Sequence, residues 1–172
     1  MLVVEPFKDQ YKEQVFNLIL DIQINEFSSP IGRKDQPDLE DVKSFYQQSK
    51  GNFWVAKLDN NIVGTIGLID IDHDQGALRK MFVSKDHRGK EKGVANQLLG
   101  VMLQWSKVKY IKEIYLGTRS VFLSAHRFYE KNGFVEIEKE SLPKNFPIMA
   151  VDTKFYSYNI TNNEKLRANE VR

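Results

Sequence analysis

Residues 81–95 read Met81-Phe82-Val83-Ser84-Lys85-Asp86-His87-Arg88-Gly89-Lys90-Glu91-Lys92-Gly93-Val94-Ala95. The order is a short apolar strand, a basic loop with two glycines, and the start of an amphipathic helix. Val94, Leu98, Val101, Met102 and Trp105 form that helix's apolar face. A helix start leaves backbone N–H groups unpaired and aimed outward, with the positive end of the macrodipole behind them. Gly89, Gly93 and Ala95 keep bulk away from those amides, while Arg88, Lys90 and Lys92 add full charges, so the stretch can cradle a pyrophosphate. It is not a nucleotide P-loop, because G-x-x-x-x-G-K-[ST] is absent, nor a dinucleotide fingerprint, because G-x-G-x-x-G is absent. Two glycines shaping a turn among solvated lysines is the plainer account, and these residues alone leave both open.

Working outward, the period of the pattern changes on either side. Phe53–Leu58 and Ile62–Ile71 are β-rich runs separated by Asp59-Asn60-Asn61, residues that tolerate the positive φ of a tight turn. A second polar turn, residues 72–76, leads into the run 77–83, which predicts three antiparallel strands. Before them, Tyr11, Val15, Leu18, Ile19 and Ile22 are spaced as one helix face. A second helix is predicted with Asp38 as N-cap and Leu39, Val42, Phe45 and Tyr46 as its stripe. After residue 106, a strand at 113–117 is followed by a helix marked by Phe122, Ala125, Phe128 and Tyr129. Asn132-Gly133 closes that helix, glycine suiting the left-handed C′ position. Strands are predicted at 134–137 and 149–159. The element order β-α-α-β-β-β-α-β-α-β-β predicts an α/β (α+β) fold: a mixed, mostly antiparallel central sheet of about seven strands flanked by about four helices. Residues 1–160 form the single domain and 161–172 a polar tail.

Composition narrows the function. The chain has 172 residues, 25 Lys plus Arg against 23 Asp plus Glu, and a net charge of +2, which argues against a dedicated nucleic-acid or membrane-surface binder. The balance still leaves six cations against two acids between Arg79 and Lys92, enough for one small polyphosphate ligand. Cysteine is absent, which removes disulfides, thiolate-ligated metals and thiol nucleophiles. No apolar run approaches the roughly 20 residues that span a bilayer, and Met1-Leu2-Val3-Val4-Glu5-Pro6 lacks the regions of a signal peptide, so a cytoplasmic protein is expected. No metal is expected either. Asp70–Gly76 begins like a calcium loop but has Gln75 and Met81 where Gly and Glu belong, and His73, His87 and His126 lack ligand spacing. No G-x-S-x-G elbow supports a serine nucleophile.

The second informative stretch is Ala125-His126-Arg127-Phe128-Tyr129-Glu130-Lys131-Asn132-Gly133-Phe134. Tyr129 follows Phe128 near a helix end and need not share the core-facing stripe. As a phenol with a pKa of about 10 it can protonate a departing thiolate. An aromatic residue at helical spacing is also an ordinary core residue.

Taken together, the two stretches resemble the GNAT superfamily of acetyl-CoA-dependent N-acetyltransferases, over about residues 3–160. That family's [Q/R]-x-x-G-x-[G/A] motif is met by Lys90-Glu91-Lys92-Gly93-Val94-Ala95, with Lys in the first place and Arg88-Gly89 just upstream. Its F-Y-x-K-x-G-F signature is met by Phe128–Phe134. The resemblance implies acetyl-CoA as co-substrate and a small-molecule or peptide amine as acceptor, with no nucleic-acid or membrane partner; homodimers are common in the family. It implies that the backbone of Met81, Phe82 and Val83 pairs with the pantetheine arm, and that the amides from Arg88 through Gly89, Lys90, Glu91, Lys92, Gly93 and Val94 to Ala95 hold the pyrophosphate. It further implies that the amine attacks the thioester directly, that Tyr129 protonates the leaving thiolate, and that an N–H in the strand holding Phe82 polarises the carbonyl.

Two positions depart from the family. Its usual general-base Glu is Ala77 here, which leaves Asp70, Asp72 and Glu26 as candidate proton acceptors. Its Asn three residues before Ala125 is Phe122. The acceptor is expected between the first two helices, the loop 27–37 and the segment 141–147. Competing readings are an acyl-CoA-binding sensor of the same fold and a basic nucleic-acid-associated module.

Overall fold

Alternate side chains of the strand Asn52–Leu58 leave to opposite sides, and both sets are buried: Phe53 and Val55 in one cluster, Trp54 and Ala56 in another. A period of two with neither face wet requires layers above and below the sheet. The structure, a computed structural model, describes residues 1–171. Its strands are β1 (Leu2–Pro6), β2 (Asn52–Leu58), β3 (Asn61–Asp70), β4 (Gln75–Val83), β5 (Glu113–Thr118), β6 (Val135–Ile137) and β7 (Lys154–Asn159). They form one seven-stranded sheet in the order β1-β2-β3-β4-β5-β7-β6. Every neighbouring pair is antiparallel except β4 with β5. This is the mixed, mostly antiparallel sheet expected from the element order.

One face is covered by α1 (Lys12–Leu20), α2 (Pro37–Glu40) and α3 (Val42–Phe45), whose Val15, Phe16, Ile19, Leu39 and Tyr46 meet Phe53 and Val55. The other carries α4 (Val94–Val108) and α5 (Leu123–Lys131), with Leu98 and Met102 fully buried against Trp54, Ile66 and Leu68. At about 1.5–3 kcal/mol for each large apolar side chain buried, these two contacts hold the layers together.

Six helices are present among the described residues, against about four expected. The predicted second helix is cut in two because Asp41, at φ −140°, leaves the helical region and instead caps α3, accepting from the Ser44 amide at 3.2 Å. Asp38, expected as the cap, is buried and accepts from the Tyr46 hydroxyl at 2.5 Å. The segment expected as a polar tail follows β7 directly as α6 (Ile160–Val171), and Arg172 lies outside the described residues. The predicted last strand begins at Lys154 rather than Met149, because residues 149–152 close a turn through the Asp152 amide and the Met149 carbonyl at 3.0 Å.

β4 is irregular where it matters most. Arg79 pairs with Gly67 and Phe82 with Thr65, so Lys80 and Met81 together face the single residue Ile66. Lys80 adopts φ +54°, a left-handed conformation that costs a non-glycine residue on the order of 1 kcal/mol. The surroundings hold it there. The Thr65 hydroxyl donates to the Lys80 carbonyl at 2.7 Å. The Lys80 ammonium donates to Gln36 Oε1 at 2.6 Å and lies 3.7 Å from the Asp38 carboxylate. A bulge bends and twists its strand. β4 accordingly pairs with β5 only over Gln75–Ala77, and beyond that point the two strands part.

Burial pulls the Lys80 ammonium down to about 8, with Asp38 acting against it. The unfolded chain then binds more protons than the folded one between about pH 8 and 10.5, so this group makes stability rise with pH across that window. Urea unfolding at pH 8 and pH 10 checks this: the change in unfolding free energy between the two is more positive in the wild type than in Lys80→Met, a difference that cancels the opposing contribution of the buried tyrosines. Asp38→Ala leaves the buried ammonium without its counter-charge and lowers unfolding free energy by about 3 kcal/mol at pH 7.

Candidate active site

The parting of β4 and β5 opens into a cavity of about 1060 Å³. It is lined by Gly93, Ala95 and Asn96 at the start of α4, by Met81, Phe82 and Val83, by Tyr129, and by Arg79, Glu26 and Asp152. Because the bulge turns Met81–Val83 away from β5, one edge of this β4 segment has no strand beside it. An extended ligand can therefore add to that edge as a strand would.

The loop at one end is built by its glycines. Gly93 stands at φ +67° as the residue before α4, and Gly89 at φ +115°. No heavy atom lies within 4 Å of where a Cβ would stand at either, so backbone conformation and open access, not crowding, select glycine there. The Lys92 and Gly93 amides are spent inside the loop, both donating to the Gly89 carbonyl at 3.2 and 3.3 Å. The Val94, Ala95 and Asn96 amides open the helix; Gln97 is the first to reach a carbonyl a turn back, that of Gly93 at 2.9 Å. The Val94 side chain is in the core and Val94 does not line the cavity, whereas Gly93, Ala95 and Asn96 do.

The cations divide in the same way. Arg88 is held by the carboxylate of Glu26, with Nη2 to Oε2 at 2.7 Å, and donates through Nε to the Val83 carbonyl at 2.8 Å. Lys92 donates to the Asp86 carbonyl. Lys90 lines the cavity with no acid partner among the described residues. Lys92 and Glu91 are exposed and do not line the cavity.

Tyr129 is both a core residue and part of the cavity lining. It is 5% exposed and packs against Phe128, Phe134 and Tyr156 with ring centroids 5.8, 5.5 and 5.9 Å away, yet it also lines the cavity. Burial, reinforced by Tyr156, pushes its phenol well above the usual tyrosine range. The group is therefore a fully protonated acid at neutral pH.

The candidate proton acceptors separate clearly. Ala77 is fully buried beneath the sheet's surface. Asp70 accepts from the Lys50 and Asp72 amides in the β3–β4 turn, and neither Asp70 nor Asp72 lines the cavity. Glu26 does line it, but the Arg88 guanidinium holds its carboxyl below the usual range, which makes it a weak base. Sequence reasoning missed Asp152, which lines the cavity half-buried and whose carboxyl is raised by burial. Its position depends on a tertiary turn that no local pattern announces. Phe122 meets Phe27 edge-on at 4.7 Å, so an apolar clasp stands where an amide was the family expectation. Among the described residues no group of three or more His, Cys, Asp or Glu side chains could hold a metal ion, and no helix is long and apolar enough to cross a membrane.

A family model described as an acetyltransferase (GNAT) domain matches residues 49–136, about half of the chain. The crystal structure of a GNAT-family acetyltransferase from Staphylococcus aureus Mu50 superposes with a TM-score of 0.89 at 43% identity, covering 93% of this chain and 99% of that one. An N-acetylaspartate synthetase from Xenopus tropicalis is 33% identical over 102 residues, 58% of this chain and 37% of that protein. The chain thus spans about a third of the length of the curated relatives of that name. A PaiA N-acetyltransferase from Thermoplasma acidophilum, solved in complex with coenzyme A, shares the fold with a TM-score of 0.70 at 17% identity, over 92% of this chain and 99% of that one.

Absorbance at 295 nm checks the state of the buried phenol. At pH 10, where an ordinary tyrosine is about half ionised, the wild type and Tyr129→Phe should show the same tyrosinate signal; a smaller signal in the variant shows that Tyr129 ionises normally.

Proposed function

The chain belongs to the GNAT acetyltransferase family, and we propose that it moves the acetyl group of acetyl-CoA directly to a primary amine. The observation that carries this reading is a single cavity lined by the helix-start residues, the unpaired β4 edge and a buried phenol. Acetyl-CoA presents the matching sequence of groups, a pyrophosphate, an amide-bearing extended arm and a thioester. Val94, Ala95 and Asn96 offer amides to the pyrophosphate with Lys90 beside them, and Met81, Phe82 and Val83 offer backbone to the pantetheine. That the PaiA relative is solved with coenzyme A supports this choice of ligand. The relatives named N-acetylaspartate synthetase form an N-acetylated amine by name, which supports the acceptor class.

In this reading the amine nitrogen attacks the thioester carbonyl carbon, and a β4 amide near Phe82 stabilises the oxyanion. As the tetrahedral adduct collapses, the C–S bond breaks and the sulfur takes a proton from Tyr129. The phenol is restored by solvent as the nitrogen loses its remaining excess proton. Net, an ammonium and a thioester give an amide, a thiol and one proton. The absence of cysteine leaves direct transfer, without an acyl-cysteine, as the route.

Thiol release from acetyl-CoA with a panel of primary amines tests the reading. Tyr129→Phe should lower kcat by about 10²–10⁴-fold with CoA affinity unchanged, a loss typical of removing a general acid. Normal turnover in that variant removes Tyr129 from the role. CoA that binds with no turnover on any amine points to the sensor instead. Gly93→Val, which forces a β-branched residue into the left-handed region, should weaken CoA binding about tenfold or more; unchanged affinity removes the helix-start cradle.

A further inference from the structure

Arg79 is a cavity charge that the transfer proposed above does not use. Arg79, on β4 just before the bulge, is half-buried and lines the cavity. Among the described residues no carboxylate lies within 4.0 Å of it. Its one side-chain partner is the Met149 sulfur, 3.5 Å from Nη2, a weak acceptor for a guanidinium. Of the other cations that line the cavity, Lys80 has Gln36 and Asp38, Arg88 has Glu26, Arg119 lies 5.5 Å from the centre of the Phe122 ring, and Lys90, Arg127 and Lys131 are exposed. A guanidinium drawn partly out of water with no acid beside it is unfavourable until an anion arrives.

The same cavity holds an acid in the complementary situation. The Asp152 carboxylate lies over Gly117 on the parted stretch of β5, where a Cβ would come within 2.5 Å of Oδ2, so only glycine leaves room for it. It accepts from the Met149 amide at 3.4 Å and makes no ion pair within 4.0 Å among the described residues. Arg79 is near enough to act on it electrostatically but does not neutralise it, and burial dominates its titration. A guanidinium and a carboxylate, neither in an ion pair within 4.0 Å among the described residues, thus line the same cavity, with Met149 touching both. Two opposite charges that face one space without joining are the complement of a zwitterion. The same pattern disfavours polyamines and aminoglycosides, whose several ammonium groups would meet Arg79 and the neighbouring Lys80.

We propose that the acceptor is a free amino acid, its carboxylate held by Arg79 and its amine facing Asp152, which takes the ammonium proton before attack. The proposal rests on the acetyl-transfer reading for the reaction and on Arg79 and Asp152 for the acceptor. The nitrogen gives one proton to the Asp152 carboxylate, and its freed lone pair forms the bond to the acetyl carbon. Asp152 then returns that proton to solvent.

The test is calorimetric binding to the CoA-saturated protein, run with the twenty protein amino acids, their carboxamides and ethylamine, beside thiol-release assays on the same panel. At least one free amino acid should bind, and its carboxamide about 30-fold more weakly, the usual cost of leaving a charged site unpaired. Arg79→Met should remove that preference with CoA affinity intact, and Arg79→Lys should restore part of it. Equal binding of acid and carboxamide in the wild type, no amino-acid binding at all, or undiminished binding in Arg79→Met each overturns the proposal. Asp152→Asn, which removes the ammonium's counter-charge, should weaken amino-acid binding and lower kcat/KM about 10²-fold near neutrality, with the loss shrinking as pH rises toward the amine's own pKa and solvent deprotonates it. A deficit independent of pH overturns the role of Asp152. The two readings fail separately: good turnover of ethylamine without preference for amino acids leaves acetyl transfer standing and removes the acceptor, whereas Arg79-dependent amino-acid binding with no thiol release does the reverse.

Discussion

Lys80 occupies a left-handed conformation inside a strand, and its ammonium is tied to Gln36 and Asp38 on the helical layer below. The rest of the site depends on that attachment. Gln36 is itself clamped in a two-way amide pair with Gln23, at 3.2 and 2.9 Å, and Asp38 is fastened to Tyr46. Each member of the network is buried and each has a partner, the condition under which buried polar groups specify one geometry instead of destabilising it. What the network specifies is a strand with one residue too many. The extra residue swings Met81–Val83 out of register with β5, and the cavity is the space this leaves.

The same attachment joins the floor of the site to its wall. Gln23 belongs to a π-helical turn, Asp21–Glu26, that continues α1, and the next residues to line the cavity, Glu26 and Phe27, reach across it. Glu26 grips Arg88 in the loop before α4, and Phe27 meets Phe122 at the start of α5. π-Helical turns are rare and collect at functional sites because they re-aim a helix end without ending it. Here the turn delivers Glu26 and Phe27 to opposite banks of the opening. The charge the basic loop presents is consequently smaller than its composition suggests, since Arg88 is paired with Glu26, while Lys92 keeps its charge but is turned back onto the Asp86 carbonyl.

Local patterns made most of the architecture legible. The alternation in Phe53–Leu58, the polar turns at 59–61 and 72–76, and the apolar face of α4 each place an element correctly, because each depends on neighbours within one or two turns. What stayed hidden depends on distant partners. Asp38 has the composition of a helix cap, but Tyr46 and Lys80 recruit it into the interior. The bulge at Lys80 needs Thr65, Gln36 and Asp38, none of them adjacent in sequence. Asp152 is one acid among many until the turn at residues 149–152 sets it over Gly117. Tyr129 was readable as an acid or as a core residue; the fold buries it among aromatic rings and still leaves it lining the cavity.

The central seam of the sheet has a mechanical meaning. Only the three pairs Gln75–Glu113, Gly76–Ile114 and Ala77–Tyr115 join the strands on the β1–β4 side to those on the β5–β7 side, whereas β5 and β7 share six. A ligand seated against the open β4 edge and touching α5 supplies the rungs that this ladder lacks. It is gripped by both halves at once, so its binding free energy is also free energy against their separation. The molecule is then stiffest while loaded and loosest while empty, and the seam is where hydrogen exchange should first register the difference.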